Sequence, residues 1–155
     1  MTDNLSKYIR DSHHNLLIVE DSDADFSVLN RFLQKLSFNS PIHRCYDGED
    51  ALDYLYHKGN YQDNLAFPRP SLILLDLNLP GTDGKDVLEE IKQDENLKII
   101  PVVVFTTSSN PQDVQACYQR GANNYILKPM DLSEMREKVE SLLNYWFNVS
   151  TLPSF

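Results

Sequence analysis

Leu72-Ile73-Leu74-Leu75-Asp76 is an unbroken apolar run that ends in a bare carboxylate. A short continuous run of this kind reads as a strand buried on both faces of a parallel sheet. A charge cannot sit inside such a strand without a partner, so Asp76 belongs at its end, where the sheet opens to solvent. In open parallel sheets the carboxyl ends of the strands are where ligands bind. The residues that follow, Leu77-Asn78-Leu79-Pro80-Gly81-Thr82-Asp83-Gly84, are rich in turn formers and can shape a loop around that end.

On either side of this strand the chain alternates. Residues 15–20 (NLLIVE) read as a second buried strand, followed by a helix over 23–36 with Phe26, Leu29, Phe32, Leu33 and Leu36 on one stripe. Residues 41–46 are a weaker, edge-like strand, consistent with Pro41 and mixed polarity. A helix over 48–57 carries Ala51, Leu52 and Leu55 inward, and the loop 58–70 is longer than most connections in α/β units. After the central strand come a helix over 86–93, the β-branched run 102–106 opened by Pro101, and a helix over 111–120 stopped by Gly121. Residues 124–127 form the fifth strand, and a helix from 132 to 144 or beyond follows. Five strand–helix alternations predict an α/β fold: a doubly wound, five-stranded parallel sheet with five helices and right-handed crossovers.

The chain's 155 residues suit one domain with one sizeable core. Its formal charge of -9 argues against a nucleic-acid or anionic-membrane partner bound through bulk charge. With no signal peptide and no long apolar span, Cys45 and Cys117 read as reduced thiols in a cytoplasmic protein. His13, His14, His43 and His57 have no metal-ligand spacing and are expected at the surface.

The polar residues at the strand ends carry the chemistry. The first strand ends in Glu20-Asp21, the third in Asp76 and the fourth in Thr106, and Lys128-Pro129 follows the fifth. Three carboxylates crowded at one sheet edge repel one another unless a cation is present. A hard dication with oxygen ligands resolves that repulsion, and Mg2+ suits one or two carboxylates plus waters and a phosphate oxygen. The Lys128 ammonium and the Thr106 hydroxyl then suit the remaining oxygens of a phosphoryl group. The chemistry suggested is Asp76 as nucleophile, forming an aspartyl phosphate with metal assistance.

Glu20-Asp21, the segment LILLDLNLPGTDG, the Thr106-Thr107-Ser108 turn and Lys128-Pro129 together resemble the receiver domain of two-component response regulators. The resemblance spans 14–144, leaving 1–13 as an N-terminal extension and 145–155 as an aromatic tail. It implies the flavodoxin-like strand order 2-1-3-4-5 and a phosphoryl group accepted by Asp76 from a histidine kinase. It further implies Mg2+ held directly by Asp21 and Asp76, through water by Glu20, and by the backbone carbonyl of Asn78. Thr106 would contact the phosphoryl group, Lys128 would pair with it, and Tyr125 would be the switch aromatic. Lys128-Pro129 matches a peptide bond that is cis in the family, in keeping with proline's low cis penalty. The long 58–70 loop and the ending YWFNVSTLPSF resemble the stand-alone regulators that partner cyanobacterial phytochrome kinases.

Tyr145, Trp146 and Phe147, followed by Val149, Leu152, Pro153 and Phe155, leave two readings of the tail. It can fold back over its own domain, or it can form a dimer surface. The resemblance implies a homodimer through the fourth helix, fifth strand, fifth helix and tail. A second function class, a haloacid dehalogenase-type phosphohydrolase, also uses an aspartate nucleophile with Mg2+. It needs an aspartate two positions later as acid/base, and Asn78 stands there instead.

Overall fold

The central strands form because their residues have no polar alternative to burial. A computed structural model describes residues 14–155; the expected N-terminal extension 1–13, with His13, lies outside the described residues. Strands β1 (Leu16–Val19), β2 (Ile42–Cys45), β3 (Leu72–Leu75), β4 (Val102–Thr106) and β5 (Asn124–Leu127) pair in the order β2-β1-β3-β4-β5. Every pairing is parallel, with Leu17 opposite both His43 and Ile73, and Val104 opposite Tyr125. Every residue of β1, β3 and β4 is buried, whereas the edge strands IHRC and NYIL are mixed. The expected α/β architecture and strand order are those observed.

Helices α1 (Asp23–Lys35), α2 (Gly48–Tyr56), α3 (Gly84–Gln93), α4 (Pro111–Gln119) and α5 (Leu132–Leu143) cover the sheet. Because successive strand side chains alternate faces, two apolar layers result. Leu17, Val19, Ile73, Leu75, Val102 and Val104 pack with α2, α3 and α4. Leu16, Ile18, Leu72, Leu74, Val103 and Phe105 pack with α1 and α5.

Side-chain caps set the helix starts, each oxygen accepting an otherwise orphaned backbone N–H. Ser22 caps α1, Asp47 α2, Asp83 α3, Asn110 α4 and Asp131 α5. The Asp83 cap starts α3 at Gly84, two residues before the position that periodicity suggests. Gly84 also lies against the β3 exit: a Cβ there would sit 2.6 Å from the Asp76 carbonyl oxygen and from Leu77 Cα. Helix α2 stops at Tyr56, since His57 takes a left-handed conformation (φ 54°).

The 58–70 loop is tied down by rings. It contains a 3-10 turn at Gly59–Tyr61, and Tyr61 and Phe67 pack edge-on against His43, which stacks on Tyr54 at 4.7 Å. The Tyr61 hydroxyl donates to Asp50 at 2.6 Å, and the Tyr54 hydroxyl to the Pro68 carbonyl at 2.8 Å. This corrects the expectation for the histidines. His43 is half-buried within the ring cluster, and its burial pushes it below the usual histidine range, against the pull of Asp50. His57 Nε2 lies 2.9 Å from the Phe67 carbonyl, and His14 Nδ1 lies 3.2 Å from the Ser71 hydroxyl.

Of the two readings of the tail, its core-facing residues take the first. The chain continues from α5 through a π-helical turn at Asn144–Val149, then folds back. Leu152 is buried, Trp146 and Phe147 join the α1–α5 layer, and Phe147 meets Phe38 edge-on at 4.9 Å. The Trp146 indole N–H donates to Asn124 at 3.1 Å, and Arg69 lies 5.3 Å from the Phe155 ring. Truncation after Asn144 is therefore expected to lower stability by about 3 kcal/mol. Each buried large apolar side chain contributes roughly 1.5–3 kcal/mol, and releasing the ordered tail returns part of that as entropy. An unchanged melting temperature would contradict this packing role.

Candidate phosphoacceptor site

Asp76 leaves β3 with its backbone N–H still bonded to the Val19 carbonyl at 3.1 Å, so the sheet ladder fixes its Cα. Its side chain is 9% exposed, and its Oδ1 accepts the Asn78 backbone N–H at 3.1 Å. Lys128, just past β5, reaches across the sheet edge and donates to Asp76 Oδ2 at 2.9 Å and to Asp25 Oδ2 at 3.2 Å. It also donates to Glu20 Oε1. Its backbone N–H is pinned by the Thr106 carbonyl at 2.8 Å, which sets where the long side chain begins.

Glu20, Asp25 and Asp76 each turn one oxygen into a group whose atoms lie within 4.8 Å of one another. Burial, then the hydrogen bond to Asp76, pushes the Glu20 carboxyl up to about 7, although the Lys128 ammonium draws it down. Burial alone would raise Asp76 as well, yet bonds to Glu20 and Lys128 hold it below the usual carboxylate range. Burial opposes the charge on Lys128, and its bonds with Glu20 and Asp76 lift it above the ordinary lysine value nonetheless. Near neutral pH the site thus combines an ionised Asp76, an ionised Lys128 and a Glu20 that holds or yields a proton easily.

The structure brings Glu20, Asp76 and Lys128 together, with the Asn78 N–H bonded to Asp76, and adds one residue. Thr106 is fully buried at the end of β4, where its hydroxyl accepts the Ser108 N–H at 3.4 Å. Tyr125 is half-buried on β5, and its hydroxyl donates to the Ser108 carbonyl at 2.7 Å. The loop after Thr106 is therefore tied to both residues. Asp25, which the sequence did not single out, lies in the first turn of α1 beside Glu20 and Asp76. Its signal is weak, because an acidic residue three positions after an N-cap serine ordinarily reads as a capping or helix-dipole residue.

Asp21 stands apart from the cluster, and the Lys128-Pro129 bond differs from the expected isomer. Asp21 is exposed, and its carboxylate is not in the group formed by Glu20, Asp25 and Asp76. Neighbouring residues at a strand end point in different directions, and Glu20 takes the inward one. The Lys128-Pro129 bond, expected cis, is trans, for no cis peptide occurs among the described residues. Trans is the lower-energy isomer before proline by about 0.5–1 kcal/mol, and Lys128 reaches its carboxylates from that isomer.

The donor set fits a hard dication. All contributing atoms are oxygens, and Glu20 Oε2 is buried without a hydrogen-bonding partner. A cleft of about 260 Å³ opens beside the cluster, lined by Glu20, Asp25, Leu29, Phe105, Lys128 and Met135. No helix among the described residues is long and apolar enough to cross a membrane.

Residues 16–140 match the family model of the response regulator receiver domain. The chain belongs to that family. This receiver domain is 42% identical over 139 residues to the response regulator Rcp1 of Synechocystis sp., covering 90% of this chain and 92% of that protein. The crystal structure of the Mn(2+)-bound form of Rcp1 superposes with a TM-score of 0.84 at 41% identity, over 91% of this chain and 99% of that one. The phosphorylated cyanobacterial phytochrome response regulator RcpA gives a TM-score of 0.85 at 40% identity, over 92% and 99% of the two chains. As a receiver domain, the protein is a signalling component of two-component systems, in which a histidine kinase supplies the phosphoryl group.

Proposed function

We propose that this receiver domain takes a phosphoryl group onto Asp76 from the phosphohistidine of a phytochrome histidine kinase. The observation that carries the reading is Asp76 itself: a carboxylate held below its usual range at a strand end and bonded to Lys128, a buried lysine that lines the neighbouring cleft with Glu20 and Asp25. An Asp76 carboxylate oxygen attacks phosphorus while the N–P bond to the donor imidazole breaks. The electron pair goes to the imidazole nitrogen, and an acyl phosphate forms on Asp76.

Glu20, Asp21, Asp76 and the Asn78 carbonyl would hold Mg2+, with Asp25 near enough to join them. When bound, the ion neutralises charge on the transferring phosphoryl oxygens. Lys128 exchanges a carboxylate for a phosphoryl oxygen, and Thr106 donates its hydroxyl to another. Withdrawing Thr106 from Ser108 moves the loop to which Tyr125 is bonded, which makes Tyr125 the switch. The protein accordingly acts as a signalling module whose only chemistry is on itself. A haloacid dehalogenase-type hydrolase is not favoured, since the residue two positions past Asp76 is an amide.

Acetyl phosphate with Mg2+ is expected to add one phosphoryl group, with peptide mapping locating it at Asp76. Incorporation that persists in excess chelator, or that maps to another residue, would remove the reading. The parallel with RcpA supports the phytochrome link, and the kinase assignment implies the cytoplasm, where unpaired thiols such as Cys45 and Cys117 persist.

A homodimer is part of the same reading. Tyr118 on α4, Leu127 on β5 and Tyr145 in the tail stay exposed beside a groove of about 690 Å³ that runs along the β5 edge. Sedimentation with beryllofluoride and Mg2+ is expected to give the dimer. A monomer at every concentration, with and without the phosphoryl mimic, would sink this part.

A further inference from the structure

Arg44 holds the acidic turn from behind. It lies on β2, its side chain is 11% exposed, and its guanidinium makes two directed bonds. Nε donates to the Glu20 backbone carbonyl at 3.0 Å, and Nη1 donates to Asp23 Oδ1 at 2.8 Å. One planar group thus spans the turn from Glu20, at the end of β1, to Asp23, the first residue of α1, with Asp21 and Ser22 between its anchors.

The plane of that group is also fixed. Its central carbon sits 4.6 Å from the Phe26 ring centroid and 4.1 Å from that of Tyr46, so the guanidinium is held by aromatic contacts as well as hydrogen bonds. Nη2 is buried with no hydrogen-bonding partner. A native orphan of this kind has a cost, and it persists where the surroundings dictate the group's orientation.

The bond to Glu20 matters because of where it falls. That carbonyl belongs to the peptide joining Glu20 to Asp21, while the Glu20 N–H is already bonded to the Cys45 carbonyl at 3.0 Å. With both sides of Glu20 fixed from β2, the direction in which the chain enters Asp21 is set. The other anchor, Asp23, is 88% exposed, and an ion pair with so exposed a partner contributes little to stability. The contacts are therefore suited to geometry more than to stability.

We propose that Arg44 is a positioning residue for the divalent cation: it presets the β1–α1 turn so that Glu20 and Asp21 can reach one ion together with Asp76. The inference rests on the Mg2+ reading given above. Groups that orient metal ligands from behind typically change affinity by about 10–100-fold when replaced. Lysine keeps the charge of Arg44 and loses the fork, so Arg44→Lys separates geometry from charge.

Calorimetric titration of Mg2+ into the wild type, Arg44→Lys and Tyr46→Ala, with melting curves for each, is the test. Arg44→Lys is expected to raise the Mg2+ Kd about tenfold. Tyr46→Ala, a charge-neutral change at a half-exposed ring, is expected to raise it by a smaller factor. With acetyl phosphate, the half-saturating Mg2+ concentration should rise in step, while the rate at saturating Mg2+ stays at the wild-type value. An unchanged Mg2+ Kd in folded Arg44→Lys overturns the proposal, and if that variant does not fold, an unchanged Kd in Tyr46→Ala does so. A wild type that binds no Mg2+ instead overturns the metal reading beneath it.

Discussion

Asp76→Asn is expected to abolish phosphoryl incorporation from acetyl phosphate or a phosphorylated kinase, while the fold survives. The amide matches the carboxylate in shape and still offers an oxygen to the Asn78 N–H, which preserves the turn after β3. Lys128 keeps Glu20 and Asp25 as partners. What disappears is nucleophilicity, because a neutral amide has no anionic oxygen to place on phosphorus. One of the oxygens proposed for Mg2+ loses its charge as well. Intact-mass measurement after exposure to acetyl phosphate and Mg2+ reads the outcome, and a melting curve verifies folding. Wild-type incorporation in this variant would show that another residue accepts the phosphoryl group.

Lys128→Met is expected to produce the largest stability loss at the site. The Lys128 side chain is 7% exposed, and its ammonium faces the Glu20 and Asp76 side chains, which are 5% and 9% exposed. Removing it leaves crowded buried carboxylates without a counter-charge, a change that costs about 3–5 kcal/mol when one partner of a buried pair is deleted. For a domain of this size that lowers the melting temperature by on the order of 10 °C. Because a dication supplies the missing charge, Mg2+ should raise the melting temperature of Lys128→Met more than that of the wild type. Equal melting temperatures without Mg2+ would mean that the three-way contact contributes nothing net. The same variant should take up a phosphoryl group without the full conformational response, since the charge that reads the phosphate is gone.

Some of this site is visible in one dimension and some is not. The run Leu72–Leu75 has no polar residue to turn toward water, so its burial in the middle of the sheet follows from composition alone. Asp76 then has to stand at the strand end, and Thr106 and Lys128 follow by the same reasoning from the neighbouring strands. Asp25 and Arg44 escape that logic. One reads as a helix-start acid and the other as an edge-strand cation, and only the approach of α1 and β2 to the β1 exit gives them their partners. His43 is similar: an isolated histidine on an edge strand is indistinct until the 58–70 loop folds Tyr61 and Phe67 onto it.

The tail shows the same division. Its aromatic residues announce burial, but the pattern is equally compatible with the protein's own core and with a second copy. The π-helical turn at Asn144–Val149 decides which rings face inward, sending Trp146 and Phe147 to the α1–α5 layer and leaving Tyr145 half-exposed. By itself the sequence determined the alternation of elements, the parallel sheet and the phosphoacceptor, because apolar periodicity and strand-end charges are local properties of the chain. Tertiary structure alone decided which carboxylates converge, which cation lies among them and which guanidinium braces their loop. Those contacts join residues as far apart as Glu20 and Lys128, and the direction of a side chain across that gap is set by packing that no local pattern encodes.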